Sequence, residues 1–102
     1  MINIDNNFNE EVINRKGLTI VDFWAPWCGP CKMFGPIFEN VSNIKPDIKF
    51  CKLNVDEDNE NISKEFGVMS IPTTILFKDG KEINRNIGFL DEDSLISFLE
   101  DN

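Results

Sequence analysis

Apolar and polar positions follow two rhythms along this chain, and they predict its elements before any composition is counted. Leu18–Trp24 (LTIVDFW) is almost unbroken apolar and β-branched, the pattern of a strand covered on both faces. From Cys28 to Asn43, Phe34, Ile37, Phe38 and Val41 recur at i, i+3, i+4 and i+7, a helix stripe facing a core. Pro36 lies inside that helix, where it should introduce a kink. IKFCKLNV (Ile48–Val55) predicts a second buried strand, and MINI at the start predicts a short edge strand. NNFNEEVINRKG carries Phe8 and Val12 four apart and stops at Gly17, which predicts a short amphipathic helix. DNENISKEFG repeats that design, with Ile62, Phe66 and a stop at Gly67. TTILF and KEINRNI flank Asp79-Gly80, a pair suited to a two-residue hairpin turn, so these strands should run antiparallel. Asp91 can cap a last helix whose inner side is Leu95, Phe98 and Leu99. The order β-α-β-α-β-α-β-β-α predicts an α/β fold. Its mixed central sheet would be parallel in the first half and antiparallel in the second, with helices on both faces.

Length and composition narrow the picture. The 102 residues suffice for one domain, residues 1–102, and 41% hydrophobic against 27% charged residues is ordinary for a globular chain. No internal repeat, linker or low-complexity tract interrupts it. No apolar run approaches the ~18 residues of a membrane span, so no membrane partner is expected. MINIDNNFNE lacks the basic start and apolar middle of a secretory signal, which points to a cytoplasmic location. The net charge of −8 argues against nucleic acid, whose phosphates need clustered Lys and Arg; the acidity is read as serving solubility. The chain has no His and no Tyr. Proton transfer must therefore fall to Asp, Glu, Lys or Cys.

The chemistry concentrates in FWAPWCGPCKMFGP (Phe23–Pro36). Cys28 falls where the strand gives way to the helix, and Cys31 lies one turn further in. Helix positions i and i+3 bring Cβ atoms to roughly 5–6 Å, close enough for a disulfide after small adjustments. So small a loop removes little unfolded-state entropy, so an exposed bridge here suits reversible chemistry rather than stability. Gly29 lets the backbone approach closely, and Pro30 supplies a helix-compatible φ in the first turn. Free N–H groups and the positive end of the helix dipole favour a thiolate at the tip. Cys28 is thus the expected nucleophile and Cys31 the resolving thiol. A metal knuckle would need four ligands, and three Cys with no His do not supply a full structural zinc set. A purely structural disulfide is the other alternative, disfavoured in a cytosolic chain.

Nearby residues carry readings of their own. Asp22 interrupts an apolar strand; if buried there, its carboxyl titrates near neutrality and can accept a proton, whereas at an edge it is an ordinary surface or capping acid. Trp24 fits core packing. Trp27, past the strand end beside Pro26, reads as a partly exposed platform against which a substrate chain lies. Lys52 is most simply a lysine whose stem lies on the strand while its amine reaches water. Cys51, on the opposite side of its strand, reads as a small buried hydrophobe, with a regulatory thiol as the alternative.

VDFWAPWCGPCK, then SIPT (Ser70–Thr73), then FKDGKEINRNIG (Phe77–Gly88) resemble the thioredoxin family, in its order and at its spacing, over essentially the whole chain. The resemblance implies the thioredoxin fold and a thiol-disulfide oxidoreductase that reduces protein disulfides. It assigns to Asp22 the base that deprotonates Cys31 through water, and to Lys52 that base's half-buried partner. It matches Pro72 to the family's cis-proline facing the dithiol, against the trans bond most prolines adopt. Ile71 would then offer its N–H and C=O to an extended substrate. Gly88 would border the site, completing a substrate surface of Trp27, Gly29, Pro30, Ile71, Pro72 and Gly88. The Gly-Pro pair between the cysteines resembles the reducing members. The implied partners are disulfide-containing proteins and a thioredoxin reductase fed by NADPH or ferredoxin, with the chain itself a monomer. No cofactor is implied, and no nucleotide motif is present. Two other functions compete: a binding subunit whose dithiol is incidental, and an oxidase of an exported compartment.

Overall fold

A computed structural model describes residues 1–102. Five strands, β1 (Ile2–Asn3), β2 (Leu18–Trp24), β3 (Lys49–Asn54), β4 (Thr73–Lys78) and β5 (Lys81–Ile87), form one sheet in the order β1-β3-β2-β4-β5. The β1–β3 and β3–β2 pairs are parallel, and the β2–β4 and β4–β5 pairs antiparallel. The helices are α1 (Gly29–Ile44), α2 (Ile62–Glu65) and α3 (Glu92–Glu100), joined by a π-helical turn at Asn9–Ile13 and a 3-10 turn at Val55–Glu57. The sheet is the predicted mixed one, with β2 at its centre.

Side chains alternate across that central strand, and each set faces its own core. Val21 and Phe23 pack with Phe8, Val12, Leu53, Ile62 and Phe77 on the face covered by the π-helical turn and α2. Ile20 packs with Phe34, Phe38, Val41, Phe50, Leu95 and Leu99 under α1 and α3. Each fully buried Phe contributes roughly 1.5–3 kcal/mol of apolar burial. Cys51 lies in the first core and is fully buried. Burial pushes its thiol up from 9.0 to about 11, so it stays protonated and packs as an apolar group.

Two of the local expectations, both for short helices, need adjusting. The N-terminal helix shrinks to one wide turn closed by Asn14 N–H donating to Asn9 C=O, though Phe8 and Val12 are buried as the spacing implied. α2 holds only four helical residues. Its start is capped by Asp58, whose carboxylate accepts N–H bonds from Ile62 (2.9 Å) and Ser63 (2.8 Å). α1 continues through Pro36 to Ile44 without a break. Asp91 caps α3 by accepting the Ser94 N–H at 2.8 Å.

The Asp79-Gly80 turn has positive φ at both residues, 50° and 81°, as a two-residue hairpin requires. Asp79 also accepts the Gly17 N–H at 2.7 Å and donates its own N–H to Gly17 C=O at 3.0 Å. A Cβ added at Gly80 would collide with the Ile13 carbonyl. Gly80→Ala is therefore expected to destabilise the protein by about 2 kcal/mol or more, from backbone strain and that collision. Urea unfolding checks this, and an unchanged midpoint would contradict the packing described.

Candidate active site

Cys28 is the N-cap residue of α1, in extended backbone, and its sulfur accepts the Cys31 N–H at 3.2 Å. No acidic residue occupies the first turn, so the positive end of this 16-residue helix is not offset by a neighbouring carboxylate. The sequence dictates this start. Pro30 needs no backbone partner in the first turn, and Gly29 carries no side chain at the tip. Both are exposed. Cys28 and Cys31 are joined as a disulfide with Cα atoms 5.2 Å apart.

The bridge is less open than its loop length suggested. Cys28 is 6% and Cys31 3% exposed, because Trp24, Ala25, Val55 and Ile71 close around them. The expectation of an exposed bridge fails for that reason. The Cys28 sulfur lies 3.8 Å from the Ile71 carbonyl oxygen.

The Ile71–Pro72 bond is cis, and Pro72 is buried. Neither Ile71 N–H nor Ile71 C=O pairs with another backbone group of the chain. Thr73 anchors the turn by donating its hydroxyl to Ser70 C=O at 2.6 Å. Gly88, with φ at 106°, donates its N–H to Pro72 C=O at 2.8 Å, which ties the loop after β5 to the proline. Trp27 is 68% exposed, and its indole N–H donates to Asp56 at 2.9 Å. That bond holds the ring beside Cys28 as a fixed apolar plate. Asp56 escaped the sequence reading; among the acids of VDEDNE nothing distinguishes it.

Asp22 is fully buried between Ile20, which packs under α1, and Trp24, which packs against the cysteine pair. It stands in register with Lys52 on β3 and with Thr74 on β4. Burial pushes its carboxyl up from 3.8 to about 7, against a smaller opposing pull from Lys52. Neither carboxylate oxygen has a hydrogen-bond partner in the protein. Lys52 instead places its amine 4.3 Å from the centre of the Trp24 ring. Trp24 is thus half-buried beneath a cation rather than simply part of the core. A carboxyl poised near neutrality, two residues along β2 from the Trp24 that packs against the cysteine pair, is chemically able to take or give a proton near pH 7.

Neither cavity in the structure includes the cysteines. The larger, about 420 Å³, opens on Trp24 and Lys52 behind the pair. Exposed apolar residues flank the site along the chain: Trp27 precedes Cys28, Met69 (96%) lies two residues before Ile71, and Ile87 and Phe89 flank Gly88. An apolar, open surface of this kind suits a polypeptide laid across it better than an enclosed small molecule.

Comparison with known proteins agrees with this geometry. The thioredoxin family model matches residues 1–101. Thioredoxin of Rickettsia felis is 44% identical over 96 residues, covering 93% of this chain and 90% of that protein. Thioredoxin of Pseudomonas aeruginosa is 41% identical over 99 residues, covering 96% and 91%. Thioredoxin of Mycoplasmoides gallisepticum is 45% identical over 91 residues, covering 89% and 90%. With a cysteine pair at disulfide distance on the tip of α1, this chain belongs to the thioredoxin family and is a thiol-disulfide oxidoreductase of that type.

Proposed function

We propose that the chain reduces protein disulfides through Cys28 and Cys31, with Cys28 as the nucleophile. The Cys28 thiolate attacks one sulfur of a substrate disulfide, forming a mixed disulfide and expelling the other sulfur as a thiolate. Asp22 removes the proton from Cys31. The Cys31 thiolate then attacks the Cys28 sulfur, closes the internal disulfide and releases the second substrate thiol. Two electrons have moved from the dithiol to the substrate. A thioredoxin reductase returns them. The observation that carries this order is the position of Cys28 at the N-cap, its sulfur taking the Cys31 N–H while Cys31 lies deeper.

Substrate binding is proposed to use strand pairing. An extended segment flanking the target disulfide would hydrogen-bond to the free N–H and C=O of Ile71. Its side chains would rest on Trp27 and the backbone of Gly29, Pro30 and Gly88, with buried Pro72 holding the Ile71 turn toward the substrate. Lys52 is assigned an electrostatic role, holding the Asp22 titration from rising further. The reading extends to a single-domain monomer of residues 1–102 working in the cytoplasm, where reducing chemistry is sustained. No helix of the structure is long and apolar enough to cross a membrane.

A coupled assay tests the proposal. With a thioredoxin reductase and its electron donor, the purified protein should turn over a model protein disulfide, and replacing both Cys28 and Cys31 by Ser should abolish turnover. Absence of turnover with both NADPH- and ferredoxin-linked reductases, with biological activity retained in the double variant, would instead identify a binding subunit.

A further inference from the structure

The sheet face beneath α1 contains a second buried polar group that no role above uses. Thr74 is fully buried on β4, directly opposite Asp22 on the antiparallel neighbour β2. Its hydroxyl, like both Asp22 oxygens, has no hydrogen-bond partner in the protein. No other buried side-chain nitrogen or oxygen in the chain is left in this condition. Directly opposed residues of an antiparallel pair have Cβ atoms about 4.5–5.5 Å apart. At that spacing a threonine hydroxyl reaches the facing carboxylate by rotating about χ1 or through one bridging water.

We propose that Thr74 is a positioning residue for Asp22, its hydroxyl donating a hydrogen bond to the ionised carboxylate and accepting one from the protonated carboxyl. This rests on the reading of Asp22 as the base for Cys31 and deepens it. A hydroxyl can act as donor or acceptor, so it serves the carboxyl on both sides of the proton transfer. Lysine cannot, since its ammonium only donates. A hydrogen bond to the charged form is the stronger of the two, so the net effect favours ionisation.

The other neighbours leave this task to Thr74. Lys52 is the charged group that faces Asp22 from β3, and its amine is placed over Trp24. From α1, the cysteine pair packs against Trp24, two residues along β2 from Asp22. On the far side of Thr74, β5 presents Asn86, which is uncharged and directs its side-chain amide to Gly88 C=O at 3.1 Å. An apolar residue would pack equally well at position 74 if only the sheet mattered, because Leu76 fills the next position on the same face.

The test follows the Asp22 carboxyl carbon by NMR as a function of pH in the wild type, Thr74→Val and Thr74→Ser, and measures single-turnover resolution of a mixed disulfide in the same proteins. Valine keeps the shape and removes the hydroxyl. Thr74→Val should raise the Asp22 titration midpoint by about one pH unit and slow resolution near neutrality about fivefold, the loss of ionised base that such a shift implies. Thr74→Ser should restore both. An unchanged midpoint in Thr74→Val overturns the proposal, as does an equal rise in both variants, which would trace the effect to packing. Asp22→Asn separates this from the underlying reading. If Asn at position 22 leaves the pH profile of resolution unchanged, Asp22 is not the base, whereas the carbon titration still reports on Thr74 alone.

Discussion

Cys31→Ser is expected to freeze the protein in covalent union with its substrate. The first attack needs only Cys28, the N-cap residue at the tip of α1 and the less buried of the pair. The second needs a thiolate one helical turn below, and a serine hydroxyl at that position does not displace a disulfide sulfur. Turnover should fall on the order of a thousandfold or more, because two groups acting in sequence fail together when one is removed. A one-to-one adduct with substrate should accumulate and disappear on adding a small dithiol. Cys51 offers no rescue, since it is fully buried on the opposite face of the sheet. Cys28→Ser should give neither turnover nor adduct. Mass spectrometry reads both outcomes directly, and wild-type turnover by Cys31→Ser, or an adduct on Cys31 in Cys28→Ser, would reverse the assignment of the two thiols.

The second large effect is on stability. Asp22 titrates at about 7 in the folded protein against 3.8 in its unperturbed state. Between those values the folded protein holds a proton that the unfolded chain has already released. Each step up in pH therefore favours unfolding, and the contribution is lost fully once pH exceeds the folded value. Across that window the disulfide form should lose about 4 kcal/mol from this group alone. Asp91 acts in the opposite sense at the acid end, because hydrogen bonds from Ser94 hold its carboxyl below 3.8 and their benefit fades as it protonates. In Asp22→Ala the decline between 3.8 and about 7 should vanish, leaving the variant more stable than the wild type above the window. Denaturant unfolding at several pH values provides the check, and a wild type whose stability stays level through the window would contradict a buried carboxyl.

Much of this was readable from residue order, for identifiable reasons. β2 appears at its predicted bounds because seven consecutive residues suited to a two-faced strand leave no helical alternative. The β4–β5 hairpin follows from Asp79-Gly80, where positive φ is needed twice and few residue pairs supply it. The cysteine pair, Trp27 and the Ile71–Pro72 turn carried local signatures. What stayed hidden depends on contacts between distant segments. The closure of Ile71 and Val55 over the disulfide joins three parts of the chain, so its burial could not be read from the short loop. Asp56 gained its role only when the turn after β3 came within reach of Trp27. Thr74 looked like one more β-branched strand residue until register set it opposite Asp22.

The placement of β2 at the middle of the sheet also bears on how the protein is made. Its β3 side can close once residue 54 has emerged, but its β4 side stays open until residue 78. The reactive cysteines therefore leave the ribosome well before the Ile71 loop that covers them and the strand that completes the floor beneath. A nascent chain halted in between would carry a dithiol with no cover and an Asp22 carboxyl not yet enclosed, so competence arrives late in synthesis rather than with the motif itself.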